Sequence, residues 1–268
     1  MEKKLKTVLT ISCSDSGGGA GIQADLKTMI TNGVYGMSAI TALTAQNTLG
    51  VNAIMESTPE FLAAQIDAVF NDIFPDAVKI GVLYSSELID VVGERLNHYN
   101  AKNIVVDPVM VATNGEKLIN DESVEKLTSV IFPLATVITP NIFELAILTD
   151  RNAEDIATKS DMEDAAKCLY EKYNRPVLAK GGHFTSVSID LLCNEEGLKW
   201  FYAERIDNKN THGNGCTLSS AIASNLARGM SLVESIHKAK QYLTGALSSM
   251  LNLGKGSGPL DHGYKFLV

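Results

Sequence analysis

Two glycine-rich segments hold the residues with the most chemical potential. The first, Ser14-Asp15-Ser16-Gly17-Gly18-Gly19-Ala20-Gly21, follows a β-branched run and opens an amphipathic one. A strand–turn–helix junction of this kind lets bare backbone N–H groups approach a ligand at a helix start. Gly19-Ala20-Gly21-Ile22-Gln23-Ala24 fits the G-x-G-x-x-A form of a dinucleotide fingerprint. That fingerprint also needs an acidic ribose ligand about 20 residues on, and Ser38 to Gly50 contains no Asp or Glu. A P-loop fails as well, because no G-x-x-x-x-G-K-[ST] occurs.

The second segment, Thr211-His212-Gly213-Asn214-Gly215-Cys216-Thr217, precedes another helical run. Its N–H groups and Cys216 fall at the positive end of a helix dipole, which stabilises an anion and would lower a thiol pKa. A helix-start turn with an inert buried cysteine is the plain alternative. Two carboxylates stand at apparent strand ends, Asp107 at the C-terminal end of one and Glu144, in Asn141-Ile142-Phe143-Glu144, just after the next. Such positions suit Mg²⁺, which prefers one or two carboxylates with phosphate oxygens and water. Helix capping explains Asn141 and Glu144 equally simply. Lys180 ends a strand at Gly-Gly, where its ammonium could meet phosphates. The histidines His98, His183, His212, His237 and His262 show no ligand spacing, and no metal is assigned to them. Trp200 and Tyr202 alternate in a strand and read as packing.

These residues need a scaffold that gathers strand ends. Short β-branched runs alternate with helical periods, which predicts a mostly parallel central sheet flanked by helices. The expected strands are Thr7–Cys13, Met37–Leu43, Ala77–Leu83, Asn103–Asp107, Ala135–Thr139 and Pro176–Lys180. The expected helices are Ala20–Thr31, Pro59–Asn71, Glu87–Tyr99, Cys216–Arg228 and Leu232–Leu251. Ser188–Cys193 and Leu198–Ile206 form an expected antiparallel hairpin. No repeat or linker interrupts the pattern, so one domain over 1–268 is expected.

Composition narrows the partners. The 268 residues carry 31 acidic and 23 basic side chains, a formal charge of −8, with 45% hydrophobic and 20% charged residues. That is globular usage, and no Lys/Arg stripe tracks a nucleic acid backbone. Four scattered cysteines without a C-x-x-C pair (Cys13, Cys168, Cys193 and Cys216) read as reduced thiols of a cytoplasmic protein. The apolar stretch Val8–Ile11 is too short for a signal peptide, and no run of about 18 apolar residues could cross a membrane.

Taken in order, eight segments resemble the hydroxymethylpyrimidine/phosphomethylpyrimidine kinases of thiamine biosynthesis, which are ribokinase-like enzymes. They are Ser14–Thr28, Thr41-Ala42-Leu43-Thr44-Ala45-Gln46-Asn47-Thr48, Lys79-Ile80-Gly81-Val82-Leu83, Asp107-Pro108-Val109-Met110, Thr139-Pro140-Asn141-Ile142-Phe143-Glu144, Lys180-Gly181-Gly182-His183, Gly213–Thr217 and Gly256-Ser257-Gly258-Pro259. The resemblance implies a three-layer α/β/α fold. It also implies ATP and Mg²⁺ as cofactors, a homodimer, and two phosphorylations of 4-amino-5-hydroxymethyl-2-methylpyrimidine, first to the monophosphate and then to the diphosphate. It places Gly213, Asn214 and Gly215 at the transferring phosphoryl group, and Cys216 beside the substrate hydroxymethyl as general base or positioning group. Lys180, Lys240 and Asp107 are implied at ATP, and Asp107 with Glu144 at Mg²⁺. Gly21, Val82 and Val109 are implied around the ring, with Gln46 and Asp25 reading its polar edge. An amide and a carboxylate match an amino donor flanked by ring-nitrogen acceptors. A solvated helix face is the alternative for Asp25, and a polar turn for Gln46.

Two positions depart from the family pattern: Cys13 stands where glycine is usual, and Asn214 where threonine or alanine is usual. A pyridoxine or pyridoxal kinase is the nearest alternative activity, and a non-catalytic pyrimidine-binding relative the alternative of another class. Closure of a loop near Asn114-Gly115 is left open by the sequence.

Overall fold

The computed structural model describes residues 4–111, 117–181 and 187–266. Asn114, Gly115, Gly182 and His183 lie outside the described residues. Nine strands among the described residues form one sheet, ordered β3-β2-β1-β4-β5-β6-β7-β8-β9. They are β1 (Thr7–Asp15), β2 (Tyr35–Asn47), β3 (Gly50–Glu56), β4 (Ala77–Ile80), β5 (Ile104–Val106), β6 (Val137–Ile138), β7 (Val177–Gly181), β8 (Val187–Asn194) and β9 (Gly197–Glu204). The pairings from β2 through β1, β4, β5 and β6 to β7 are parallel, whereas β3, β8 and β9 pair antiparallel at the two margins.

The helices are α1 (Gly21–Thr31), α2 (Pro59–Phe70), α3 (Ser86–His98), α4 (Asp121–Lys126), α5 (Ile142–Leu148), α6 (Lys159–Tyr173), α7 (Asn214–Ala227) and α8 (Leu232–Ser248). Strand alternation sorts the core into two layers. Leu9, Ile11, Val78 and Ile80 pack against α2 and α3, in a cluster that extends to residues of α5 and α6. Val8, Ala77 and Val105 pack on the opposite face with Met29 of α1, Ile222 of α7 and Ile236 of α8. This is the expected mostly parallel sheet between two helical layers.

The differences from expectation have local causes. Strand β3 was not foreseen, because each of its residues is exposed and its sequence carries no buried alternation. The α5 and α6 segments were not assigned to helices from sequence either. Capping boxes mark both starts, Asn141 with Glu144 and Thr158 with Asp161. Strand β2 runs well beyond Met37–Leu43 at both ends, while β4 stops at Ile80, before the expected Leu83.

One topological feature places the site. From β1 the chain passes through α1 to β2 on one side and, after β3, through α2 to β4 on the other. The carboxyl ends of β1 and β4 therefore flank a switch point, where open α/β sheets bind ligands.

Candidate active site

The first glycine segment is closed on itself. Asp15 accepts hydrogen bonds from the N–H groups of Gly17 (2.8 Å), Gly19 (3.0 Å) and Ala20 (2.9 Å). Its Oδ2 also lies 3.0 Å from Nε2 of His212. Burial alone would raise the pKa of this carboxyl, but the bonds from His212, Ala20 and Gly17 outweigh burial and hold it below the usual carboxylate range. The N–H groups expected to meet a ligand are thus largely committed to Asp15, a correction to the sequence reading.

The second segment packs directly on the first. Gly213 has φ +86°, and a Cβ there would lie 2.0 Å from the carbonyl oxygen of Gly19. Only glycine allows both the left-handed backbone and this approach. Gly213 caps α7, so Asn214, Gly215 and Cys216 form its first turn. A Cβ on Gly215 would lie 3.3 Å from both Asp107 Oδ2 and Lys180 Nζ, so the start of α7 sits over that ion pair. The Oδ1 atom of Asn214 is buried without a hydrogen-bond partner.

Asp107 and Lys180 are 2.7 Å apart. Asp107 also accepts from the hydroxyls of Thr139 and Ser219, both at 3.3 Å. Burial opposes its ionisation, but Lys180 and Lys79 overcome that and lower its pKa. Glu144 completes the capping box with Asn141, as the plain alternative required. It is also buried within the field of Lys180 and Asp107. Burial, with Asp107 adding to it against Lys180, raises this carboxyl to about 8. The capping and site readings are therefore compatible.

Cys216 keeps a partly accessible surface. Burial pushes its thiol up to about 12, with Asp25 and Asp107 adding to the shift and Lys79 and the Gly21 N–H opposing it. The expectation that a helix N-terminus would lower this pKa is corrected: desolvation between two carboxylates outweighs the helix end.

Beneath Cys216 lies a polar cluster that the sequence reading missed. Lys79 is completely buried and bonds Asp25 at 2.9 Å. Asp25 also accepts from Thr10 Oγ1 at 2.6 Å and from Ser220 Oγ at 2.7 Å. Both its oxygens are thus engaged by β1, β4 and α7, and it sits neither on a solvated helix face nor open to a ring. The usable signal was Lys79 itself, a lysine inside the four-residue buried strand AVKI.

Around the switch point Cys13, Ala42 and Val82 form a small apolar cluster against which Tyr84 and Val109 pack. The predicted ring contacts Val82 and Val109 are thus brought together, and Cys13, the departure from the family, joins them. Gly21 adjoins this cluster, since a Cβ on it would meet the Cys13 carbonyl. Gln46 is half-buried at the end of β2. Its side chain lies 3.1 Å from Thr44 Oγ1 and 3.2 Å from His212 Nε2. Lys240 is held by Asp190 at 2.5 Å and Ser188 at 3.2 Å. Asp190, another residue the sequence reading missed, also accepts from the Gly181 N–H.

No group of three or more metal-ligating side chains occurs among the described residues. The paired carboxylates Asp107 and Glu144 fit Mg²⁺ held mainly by phosphate oxygens and water. No described helix is long and apolar enough to cross a membrane.

Comparison with known proteins gives the family. The family model described as Phosphomethylpyrimidine kinase matches residues 15–261. The Thiamine biosynthesis bifunctional protein ThiED of Geobacter sulfurreducens is 49% identical over 257 residues, 96% of this chain. This chain spans only 52% of that protein's length. The Hydroxymethylpyrimidine/phosphomethylpyrimidine kinase of Streptomyces coelicolor is 45% identical over 257 residues, covering 96% of this chain and 94% of that one. Among solved structures, an ADP complex of Bacillus subtilis pyridoxal kinase superposes with a TM-score of 0.91 at 34% identity, covering 99% of this chain and 100% of that one.

Proposed function

The chain belongs to the phosphomethylpyrimidine kinase family, and on that premise we propose that it is the bifunctional kinase that phosphorylates 4-amino-5-hydroxymethyl-2-methylpyrimidine and then its monophosphate. The fold is ribokinase-like, and we read the whole chain as one kinase domain. The observation that carries the reading is the first turn of α7 lying over the Asp107–Lys180 pair. A helix N-terminus beside a lysine gives the positive field that phosphoryl transfer requires, since its catalysis is mostly positioning and charge stabilisation.

In this assignment ATP presents its terminal phosphoryl group to Gly213, Asn214, Gly215 and Lys180. Asp107 and Glu144 are the residues that would hold Mg²⁺, which would neutralise phosphate charge. The ring rests on Val82, Val109, Cys13 and Gly21, with Gln46 at its polar edge. Asp25 acts from below, through Lys79, rather than by touching the ring. Cys216 meets the hydroxymethyl group as the oxygen attacks phosphorus, the bond to the leaving ADP breaks and the hydroxyl proton passes to an oxygen of the transferred phosphoryl group. Its raised pKa favours a thiol that orients this oxygen over a resting thiolate base. Lys240 would reach phosphate only by leaving Asp190.

A pyridoxal kinase remains the second reading, favoured by the structural match to such an enzyme. The intact loop, lysine and carboxylates argue against a non-catalytic binding protein. The test is purified protein with excess Mg-ATP, given the pyrimidine and pyridoxal in parallel, with products followed by phosphorus NMR. The expected result is monophosphate followed by diphosphate on the pyrimidine. Faster turnover of pyridoxal, or monophosphate that never advances, would move the assignment to the second reading.

A further inference from the structure

The Asp15–His212–Gln46 contact carries an assignment that goes beyond which residues touch the ring. An ionised carboxylate can only accept hydrogen bonds. Three backbone N–H groups converge on Asp15, and its Oδ2 lies 3.0 Å from Nε2 of His212. That nitrogen must therefore carry a hydrogen. The same Nε2 lies 3.2 Å from the Gln46 amide nitrogen as the structure orients it, with the amide oxygen towards Thr44. A protonated nitrogen cannot accept from an NH₂ group, so the amide belongs the other way round, with its oxygen facing the imidazole.

The other side of the amide agrees. Thr44 Oγ1 lies 2.9 Å from the carbonyl oxygen of Ser14, the better acceptor for its single hydrogen. Its lone pairs are then free for the end of the Gln46 amide 3.1 Å away, where the structure has the oxygen and an NH₂ would be the better partner. The two amide ends have nearly the same shape, so the hydrogen-bond network decides between them. The imidazole has little room to turn, because a Cβ on Gly19 would lie 2.4 Å from His212 Cδ2.

We propose that Asp15 and His212 are positioning residues that fix the Gln46 amide with its oxygen on the imidazole, leaving one amide hydrogen to donate to a ring nitrogen of the heterocyclic substrate. The proposal rests on Gln46 touching the ring as assigned above. It makes specificity depend on an acceptor in the ring rather than on the exocyclic amino group.

The experiment has two arms. In ¹⁵N-histidine-labelled protein, the His212 resonances should report hydrogen on Nε2. The opposite tautomer would overturn the proposal without any substrate. The second arm compares the pyrimidine with the two pyridine analogues in which one ring nitrogen is C–H. Wild-type protein should lose about 10-fold or more in kcat/KM on one of them, chiefly through KM. In His212→Ala the amide can turn over, and this preference should shrink to within about 3-fold. His212→Gln, which can still donate an N–H, should keep it. Equal preference in wild type and His212→Ala would refute the positioning role. A wild-type protein that phosphorylates none of the three compounds would instead refute the kinase assignment, with the NMR arm still deciding the tautomer.

Discussion

A lysine with no solvent contact is the most consequential single residue in this chain. Lys79 is tolerated because Asp25 lies 2.9 Å away and Thr10 and Ser220 satisfy the remaining carboxylate lone pairs. Removing one partner strands the other charge in the core, at a cost of about 3–5 kcal/mol. Asp25→Ala should therefore lower stability by about that amount in urea unfolding, and Lys79→Met combined with Asp25→Asn should recover much of it. Equal losses in the single and double variants would show that packing, not charge, dominates there. Cys216 is tested differently. With its thiol near 12, alkylation by iodoacetamide should be slow at pH 8 and should accelerate as pH rises towards that value, because the thiolate is the reactive form. Cys216→Ala should reduce the first transfer by about 10-fold or less, the loss of a group that orients the acceptor; a loss of about 10²-fold would instead make the thiol the general base. Its effect on the second should be smaller still, because the acceptor there is a phosphate oxygen and no longer the hydroxymethyl group. Cys168→Ala should leave both nearly unchanged. Equal damage to both transfers by Cys216→Ala would mean that the thiol serves nucleotide binding rather than the acceptor.

Elements act here through their ends. The two glycine segments are one unit, since α7 can start where it does only because Gly213 presses on Gly19. Gly213→Ala would add strain of about 1–3 kcal/mol from the left-handed backbone, besides the clash with the Gly19 carbonyl. It should cost activity far more than Gly229→Ala, another positive-φ glycine, whose added Cβ meets open space. Comparable kcat losses in the two variants would remove the contact from the argument. The start of α7 is also tied to the C-terminal segment, where Thr217 Oγ1 lies 2.9 Å from Nε2 of His262. Burial lowers the pKa of this imidazole to about 4, helped by Lys27 and opposed by Asp261. The unfolded chain binds a proton near pH 6.5 that the folded chain refuses, so stability falls as pH drops from 6.5 towards 4. The loss attributable to His262 should reach about 3 kcal/mol by pH 4. Melting temperature measured from pH 7 to 4 should fall less steeply in His262→Gln, and parallel curves would exclude this histidine as the cause.

At the scale of the whole molecule, the sheet order turns separate motifs into one site. Asp15 ends β1, Asp107 follows β5 and Lys180 lies in β7, so residues far apart in sequence meet at one edge of the sheet. The other margin of the sheet has a different character. Leu43, Val51, Ile54 and Met55 of the β2–β3 hairpin and Leu49 at its turn are exposed apolar side chains on an edge pair. Such edges are normally paired or covered. The homodimer proposed from family resemblance should bury this hairpin. Light scattering at micromolar concentration should then give twice the 28.8 kDa chain mass, and Ile54→Glu with Met55→Glu should shift it towards the single chain. A wild-type protein that stays at the single-chain mass would remove the dimer.

Much was legible before any coordinates. Short β-branched runs alternating with helical periods pointed to the layered fold, because strand preference and helix periodicity are local consequences of side-chain shape and backbone geometry. The glycine segments, Asp107, Glu144, Lys180 and Cys216 could be singled out because loop glycines and charges at strand ends are visible in one dimension. What the tertiary structure alone decided was who partners whom. Asp25 was read at the polar edge of the ring, and the structure pairs it with Lys79; Lys240 was read at phosphate, and the structure pairs it with Asp190. The thiol expected to be acidic at a helix start is made weakly acidic by its surroundings. The physical reason is common to all three: hydrogen-bond partnership and desolvation depend on distances of a few ångströms between residues 50 or more apart in the chain, and sequence spacing carries no record of those distances.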